Sequence, residues 1–152
     1  MEPRIRPLAL ALIRRGDEIL VEGGRDDVKG ETFFRLLGGG IDFGESGAGA
    51  LRRELREELG SETDVERLLG ALENIFTFEG EAGHEIALVY ECRLRDPQLY
   101  DRDEWEVSEP FAHGPLVHSL AWKRLASFTD GSEILYPDGA AELALTASAP
   151  SP

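Results

Sequence analysis

The sequence predicts an α/β sandwich built around a mixed β-sheet, and three observations carry that prediction. Within the segment 5–13, residues 8–13 are all apolar, which is typical of a central strand covered on both faces. Residues 46–60 space their apolar side chains three and four apart, as an amphipathic helix does. Residues 65–78 and 84–94 flank a turn that contains two glycines, which predicts a hairpin of two long strands.

Chain length and net charge limit the classes of protein to which this sequence can belong. A chain of 152 residues is long enough for one domain with a substantial core, and we expect that domain over residues 1–146 and a flexible tail over 147–152. Sixteen basic against thirty acidic residues give a net charge of −14. Such a charge disfavours non-specific binding to DNA, RNA or an anionic membrane. An enzyme of this composition acting on phosphates would need a metal ion to offset charge repulsion.

Cysteine content and hydropathy indicate the compartment. Cys92 is the only cysteine, so an intramolecular disulfide is excluded, which fits a reducing compartment. The apolar run at 8–13 is too short for a signal peptide or a membrane span. We therefore expect a cytoplasmic protein.

The first third of the chain predicts three strands joined by a turn and a loop. Gly16 lies in a turn signal directly after the first strand. Polar and glycine-containing residues at 23–31 predict a mobile loop. Gly38, Gly39 and Gly40 follow the third strand, and glycine lets the backbone approach a ligand or metal ion without an intervening Cβ. The predicted strands are residues 5–13, 19–21 and 32–37.

The predicted helix has a signal at each end. Ser46 is a favourable N-cap, and Gly60 stands where a C-terminal glycine ends many helices. Gly47 and Gly49 are unfavourable in the first turns, each by up to ~1 kcal/mol relative to alanine. Close packing against another element is the one explanation that the sequence suggests for them.

The C-terminal part of the chain predicts a loop, a strand and a helix after the hairpin. Carboxylates recur along residues 96–115, which predict a long acidic loop. Residues 116–125 predict the last strand, which carries Trp122. Residues 137–145 predict a short helix. One helix among the strands and one at the end complete the predicted sandwich.

Three glutamates of the first helix form one acidic stripe. At ~100° per residue, Glu54, Glu57 and Glu58 lie at about 0°, −60° and +40° around the helix axis. The apolar positions lie beside them at about 60° to 140°, whereas Arg52 and Arg56 lie at about 160° to 200° and face solvent. Glu54 and Glu58 repel each other at i,i+4 spacing. A divalent cation would convert that repulsion into coordination.

Residues 39–61 resemble the Nudix box, the signature of the Nudix hydrolase family, of the MutT-like kind. The charged stretch at 53–59 alone would be an ordinary surface helix, but the upstream glycine run and Glu45 favour the Nudix box. The departure is Ser61, which stands where the family has a final apolar residue and carries no chemistry there. The matching positions are Gly39, Glu45, Arg53, Glu54, Leu55, Glu57, Glu58 and Gly60.

The resemblance implies a Nudix-type α/β/α sandwich that hydrolyses a pyrophosphate bond in a nucleoside diphosphate linked to another group. It implies Mg²⁺ as the cofactor, with Mn²⁺ as a substitute, because magnesium prefers oxygen ligands and keeps several waters. The implied metal ligands are Glu54, Glu57, Glu58 and a backbone carbonyl at Gly38 or Gly39. Glu54 is also a candidate general base, and a base in a later loop stays open as the alternative.

Further roles follow from the same resemblance. Arg53 is implied to pair with Glu45 and to brace the loop against the helix, and it completes the catalytic set with the three glutamates. Gly39 and Gly40 are implied to lie along the substrate. Arg35 precedes the glycine run and is a candidate phosphate contact, although a surface arginine of a strand is an equal alternative.

Residues outside the motif carry weaker indications. The acids of the predicted loop could supply an additional ligand or base, but a solvated acidic loop is the commoner explanation. Two tryptophans are candidates for stacking on a base, Trp122 being more typical of the core and Trp105 of a loop anchor. The histidines form no spaced metal motif and are predicted to be structural or exposed. These residues are Glu104, Glu106, Glu109, Trp105, Trp122, His84, His113 and His118.

Two functional hypotheses remain at this point, together with a weaker third. The first is a metal-dependent pyrophosphohydrolase with a nucleotide-type substrate, and the second is a catalytically silent Nudix-fold sensor or scaffold. A purely structural acidic domain is the third. Nudix members acting on ADP-ribose often carry a proline about fifteen residues past the box, and those acting on dinucleoside polyphosphates a tyrosine. Residues 72–78 contain neither, so the substrate stays open, as does a homodimer.

Overall fold

The computed structural model describes residues 2–109 and 116–147. Three α-helices accompany the strands in this part of the chain, together with a short 3₁₀ helix at Pro97–Tyr100. The helices are α1 Gly47–Leu59, α2 Leu125–Thr129 and α3 Ala140–Thr146. The strands are β1 Arg6–Arg15, β2 Glu18–Asp26, β3 Glu31–Gly40, β4 Thr63–Phe78, β5 Glu81–Leu94, β6 Glu104–Glu109, β7 Leu116–Arg124 and β8 Leu135–Tyr136.

The strands form a mixed sheet in the order β4-β5-β1-β3-β2-β7-β6, with β8 beside β3. β1 pairs in parallel with β5 and antiparallel with β3. β1 and β2 share only two register pairs next to their turn, Arg14↔Ile19 and Arg15↔Glu18. β3 then pairs with β2 through its first part and with β1 through Gly38–Gly40 and Leu37. The two halves of the sheet therefore diverge, and a cleft opens between β1 and β2.

Both faces of the sheet are covered, which confirms the predicted α/β sandwich. Ala9, Ala11 and Ile13 of β1 pack in one buried cluster with Leu51 and Leu55 of α1. The alternate residues of β1 pack in a second cluster with α2 and α3. This alternation explains why residues 8–13 are apolar without interruption. The second cluster includes Leu8, Leu10, Leu12, Phe128, Ala140, Ala141 and Ala144.

Helix α1 has the ends that the sequence predicts. The Ser46 hydroxyl accepts a hydrogen bond from the Gly49 amide at 3.0 Å, and Gly60 ends the helix with φ of 66°. Gly47 is explained by close packing, because a Cβ there would clash with the Tyr90 hydroxyl of β5. The helix is therefore seated against the sheet at its first turn.

The predicted loop at 23–31 is wrong over most of its length. β2 continues to Asp26 and β3 begins at Glu31, so only four residues, 27–30, form the turn. Gly24 lies opposite Phe33 in the register, and a Cβ on Gly24 would be 2.6 Å from the Phe33 ring. The glycine makes room for a cross-strand aromatic ring. The Asp26 carboxylate then closes the turn by accepting hydrogen bonds from the amides of Val28 and Lys29, both at 2.9 Å.

The predicted loop at 96–115 is also wrong in part. It contains the 3₁₀ helix and strand β6, which pairs antiparallel with β7. Residues 110–115 lie outside the described part of the chain, as does the predicted tail beyond residue 147. β7 ends at Arg124, and the C-terminal helix spans Ala140–Thr146 instead of 137–145. Across residues 2–109 and 116–147, no helix combines the length and apolar character that a membrane crossing requires.

Candidate active site

The acidic stripe of α1 and the glycine run of β3 line one cavity of about 350 Å³, here called the carboxylate cavity. Glu54, Glu57 and Glu58 enter it from the helix, and Gly38 and Gly39 from the strand. Gly40 does not line the cavity, and its carbonyl oxygen accepts a hydrogen bond from the Arg53 guanidinium at 3.1 Å. The motif residues thus come together because α1 packs across the end of β3.

Burial of the three glutamates follows their angles around the helix. Glu58, nearest to the apolar positions, is buried with 5% of its surface exposed. The Glu54 side chain is 20% exposed and that of Glu57 is 51% exposed. The stripe therefore runs from the packed face of α1 out to solvent, so the three carboxylates differ in environment.

Glu54 rests directly on the backbone of Gly39. A Cβ built at Gly39 would lie 2.6 Å from both carboxylate oxygens of Glu54, so only glycine leaves room for this approach. Gly38 has φ of 140° and lies so close to the Ala9 carbonyl of β1 that a Cβ would clash with it. Gly38 is therefore required by backbone geometry, whereas at Gly39 an added Cβ would displace the Glu54 carboxylate.

The contact between Gly39 and Glu54 gives a first prediction. We expect Gly39→Ala to displace the Glu54 carboxylate and to lower kcat by at least about tenfold, since small misplacements of catalytic groups are costly. Gly23→Ala on β2 is the matched control, because a Cβ there meets the Phe34 ring at an ordinary 3.7 Å and Gly23 does not line the carboxylate cavity. Steady-state hydrolysis of any accepted substrate measures both variants. Equal kcat values in the two variants would contradict the importance of the contact between the Glu54 carboxylate and the Gly39 backbone.

Arg53 connects the loop before α1, the glycine run and the acidic stripe. Its Nε and Nη2 atoms donate to the two Glu45 carboxylate oxygens at 2.8 and 2.7 Å. Its Nη1 donates to Glu54 Oε1 at 3.0 Å and lies 3.7 Å from Glu57 Oε1. The ion pair between Arg53 and Glu45 that the resemblance implies is thus present. It forms a bidentate pair with defined geometry.

Electrostatics reinforce the same brace. The Arg53 guanidinium and the Asp42 amide, which donates to Glu45 Oε1 at 2.9 Å, lower the pKa of Glu45 to about 2. The Glu45 carboxylate in turn raises the pKa of Arg53, with Glu54 adding to the effect. Both groups therefore stay charged at every pH at which the protein would work.

The lowered pKa of Glu45 predicts a dependence of stability on pH. A carboxyl whose pKa falls on folding stabilises the native state above its unfolded pKa, about 4.5, and loses that contribution as pH falls towards the folded value of about 2. Glu45→Gln should therefore be less stable than the parent at pH 7, and the difference should shrink between pH 4.5 and 2. Urea unfolding at several pH values measures this difference. A gap independent of pH would contradict the charged brace.

A second polar cluster in the carboxylate cavity has no counterpart in the sequence motif. The Glu22 carboxylate of β2 accepts two hydrogen bonds from Arg35, from Nε and Nη2, both at 3.2 Å. It is also in short contact with His118 Nδ1 of β7, and Glu22 and His118 are both buried. Arg35, which is 53% exposed, is thereby held at the cavity wall, and His118 is a buried residue that lines the same cavity.

Sequence reasoning missed Glu22, and it missed further cavity residues because they belong to separate strands. Glu22 closes the apolar run of residues 19–21, and a carboxylate at that place is a weak signal of a buried partner. Nothing local marks the others, which come from β1, β4, β5 and β8. They are Arg6, Asn74, Glu85 and Tyr136.

The structure separates several other candidates from the acidic stripe. Glu104 and Glu106 line a different cavity with Phe34 and Ser119, and the side chain of Glu109 is outside what the structure describes. Trp122 is a core residue as predicted, with its indole donating to the Leu99 carbonyl at 3.1 Å. The remaining predicted residues have other places. Trp105 packs against the core from β6, His84 is half-buried on β5, and His113 lies outside the described residues.

The donor set around Glu54 suits a hard divalent cation. Carboxylates and a backbone carbonyl are the oxygen ligands that magnesium prefers. The Glu54 carboxylate lies directly against the Gly39 backbone, and such a site needs its ligands to approach each other closely. In residues 2–109 and 116–147 no three acidic, histidine or cysteine side chains yet converge closely enough to hold an ion.

The fold and this cavity define a class of protein, in which an acidic helix face is held against a glycine-rich strand end in an α/β/α sandwich. The model of the NUDIX domain matches residues 4–126. The chain therefore belongs to the Nudix family, and its fold is the Nudix fold.

Several solved structures share this fold, and their matches cover nearly the whole chain. The E. coli ORF135 protein is 22% identical with a TM-score of 0.58, over 99% of this chain and 96% of that one. A MutT NUDIX hydrolase from Burkholderia pseudomallei is 25% identical with a TM-score of 0.54, over 94% and 97%. An ADP-ribose pyrophosphatase from Streptococcus suis is 20% identical with a TM-score of 0.57, over 97% and 94%.

Proposed function

We propose that this protein is a Mg²⁺-dependent hydrolase of a pyrophosphate bond in a nucleoside diphosphate linked to another group, with Mn²⁺ as an alternative ion. The observation that carries the proposal is the Glu54 carboxylate seated on the bare backbone of Gly39 and held there by Arg53. A surface helix without a function would not need a partly buried carboxylate placed against the backbone of a glycine. Membership in the Nudix family supports the reaction class.

Each residue of the site has a proposed task. Glu54, Glu57 and Glu58, with the carbonyl of Gly38 or Gly39, would hold the ion, which when bound neutralises phosphate oxygens and lowers the pKa of a bound water. Glu58 is the most buried of the three, so a cation beside it would act where screening by water is weakest. Glu57 is half-exposed and can turn towards the other two. Arg53 orients Glu54 through its pair with Glu45 and is proposed as part of the catalytic set.

Substrate contacts are proposed for the strand side of the cavity. Arg35 is held by Glu22 yet is 53% exposed, so its guanidinium is both positioned and accessible to a phosphate oxygen. Gly39 and Gly40 would let the phosphate chain pass close to the backbone. The net charge of −14 favours a small nucleotide-type molecule over DNA or RNA as the partner, and a cytoplasmic location fits such a substrate.

The second candidate is a Nudix-fold sensor that binds a nucleotide without turnover. The complete acidic stripe and its brace disfavour it, because a sensor has no need of three carboxylates held at one strand end. A panel of nucleoside triphosphates, nucleotide sugars, ADP-ribose and dinucleoside polyphosphates, assayed with Mg²⁺ or Mn²⁺, separates the two. Cation-dependent release of a nucleoside monophosphate or of inorganic phosphate supports the hydrolase. Binding without products across the panel supports the sensor.

Stability should also respond to the cation. An ion that binds only the folded acidic stripe at ten times its Kd stabilises by about 1.4 kcal/mol, which raises the Tm by about 3–6 °C in a domain of this size. Thermal melts in MgCl₂ and in NaCl of equal ionic strength measure the specific part. The Glu54→Gln variant should lose most of that part. A melt that NaCl shifts as much as MgCl₂ does would contradict a specific site.

A further inference from the structure

The outer edge of strand β4 has no neighbouring strand within residues 2–109 and 116–147. β4 is the last strand on its side of the sheet and is 16 residues long. Only Thr63 and Asn74 of these residues are buried. An edge strand presents unpaired N–H and C=O groups that can pair with another chain. The edge of β4 is therefore a long surface on which a further strand could add to the sheet.

The two edges of the sheet differ in how they are protected. β6, at the opposite end, has 6 residues and carries the exposed Glu104 and Glu106, and short, charged edge strands resist association. In β4 the stretch 68–72 contains neither a charge nor a proline. Bulges can also protect an edge, but the irregularities of β4 lie between Val65 and Gly70, and residues 70–78 pair regularly with β5. The middle of β4 is therefore unprotected.

Two exposed apolar side chains of β4 lie on the same face. Leu68 is 54% exposed and Ile75 is 68% exposed. Residues seven apart on a regular strand point to opposite faces, but the extra residue between Leu68 and Gly70 brings these two to one face. They lie opposite Tyr90 and His84 of β5 in the ladder. This face is the one that α1 covers further along the hairpin, because Tyr90 packs in the cluster that contains Leu51 and Leu55.

The positions of Leu68 and Ile75 are symmetric about Leu72. Leu72 lies opposite Ala87, so each of the two is three ladder positions away from it, on either side. A two-fold axis through Leu72, perpendicular to the sheet, would set Leu68 of each copy opposite Ile75 of the other. Such self-complementarity is the property of an isologous interface between identical chains. Side chains directly opposite on antiparallel strands have Cβ atoms ~4.5–5.5 Å apart, which is close enough for apolar contact.

The distribution of charge favours the same axis. Two copies with a net charge of −14 repel each other, so close contact requires an uncharged stretch. With the axis at Leu72, Glu73 of each copy faces Ala71 of the other, and Arg67 faces Phe76. An axis at Glu73 would instead place two glutamates directly opposite, which is destabilising. The paired stretch runs from Arg67 to Phe76, which is longer than the mean strand of ~5–6 residues.

We infer that β4 pairs antiparallel with β4 of a second copy of this chain, about a two-fold axis at Leu72. The protein is then a homodimer whose sheet continues from one copy into the other. The inference does not depend on the proposed reaction, because Leu68, Leu72 and Ile75 do not line the carboxylate cavity.

The first test measures mass in solution. Sedimentation equilibrium at about 50 μM, above the weakest Kd expected for an interface of standard size, should give twice the chain mass of 16.8 kDa. Ile75→Lys places a charge at an apolar contact that occurs twice in the dimer and should raise the dimer Kd by about tenfold or more. Val28→Lys is the matched control, since Val28 is 69% exposed in the turn 27–30, away from β4. It should leave the Kd unchanged.

The second test measures the register. The double variant Leu68→Cys/Ile75→Cys places cysteines opposite each other across the axis, and mild oxidation should link the two copies by disulfides. Ile75→Cys alone has no cysteine opposite it, and it should form the linked dimer at least about tenfold more slowly. Cys92 does not compete, because it is buried and burial raises the pKa of its thiol to about 12.

Each outcome decides for or against the dimer. A parent protein that stays at 16.8 kDa overturns the inference, and so does a mass above twice that value, since an isologous pair closes at two copies. Equal Kd values for Ile75→Lys and Val28→Lys overturn the assignment to β4. If Ile75→Lys does not fold, the cysteine variants decide, and equal rates of linkage in the double and single variants overturn the axis at Leu72.

Discussion

Glu54→Gln and Glu58→Gln should each reduce turnover by about 10² or more while the fold stays intact. Each change removes one negative charge at nearly constant volume, and an amide is a poorer magnesium ligand than a carboxylate. The loss at Glu58 acts on the most buried carboxylate of the stripe. The loss at Glu54 also breaks the ion pair to Arg53, which spans 3.0 Å.

The measurement is kcat at saturating Mg²⁺, with circular dichroism and thermal melts to verify folding. Glu62→Gln is the matched control, because it removes the same charge just beyond α1. Glu62 pairs with Arg56 in solvent, at 2.6 Å, and lies outside the carboxylate cavity. Near-parental activity in either Glu54→Gln or Glu58→Gln would refute the site assignment.

Arg53→Ala should lower kcat by about tenfold or more, and Arg52→Ala should change it by less than about twofold. Arg53 donates four hydrogen bonds, to Glu45 twice, to Gly40 and to Glu54. Arg52, the preceding residue of the same helix, is exposed. A surface ion pair alone contributes less than ~1 kcal/mol to stability. A large loss of rate at Arg53 must therefore come from displaced carboxylates.

The two arginine variants control for each other, because the chemical change is identical at adjacent positions. The ratio of kcat between them, at matched folding stability, is the decisive number. Glu45→Gln should fall between them, since it removes one charge of the brace while Arg53 keeps its contacts to Gly40 and Glu54. Equal kcat values for Arg52→Ala and Arg53→Ala would show that Arg53 is only a solvated charge.

Local signals in the sequence predict the half of the site that lies on α1. The spacing of Glu54, Glu57 and Glu58 indicates a single face beside the apolar positions. The structure adds that burial is graded along it, with Glu58 buried and Glu57 half-exposed. Ser46 and Gly60 mark the helix ends because capping depends on neighbours within one turn. The glycines at 23–31 predict a loop, but Gly24 lies in a strand and makes room for a ring on the neighbouring strand.

By itself the sequence determined the Nudix box, the covered central strand β1 and the acidic stripe, since each depends on residues close together in the chain. Only the tertiary structure decided what faces that stripe. Glu22 and His118 meet across 96 positions, and Asn74 and Tyr136 line the same cavity from separate strands. Strand register is set by packing of the whole sheet and leaves no short-range pattern. For that physical reason the acids could be predicted from the chain, whereas the residues of separate strands that face them could not.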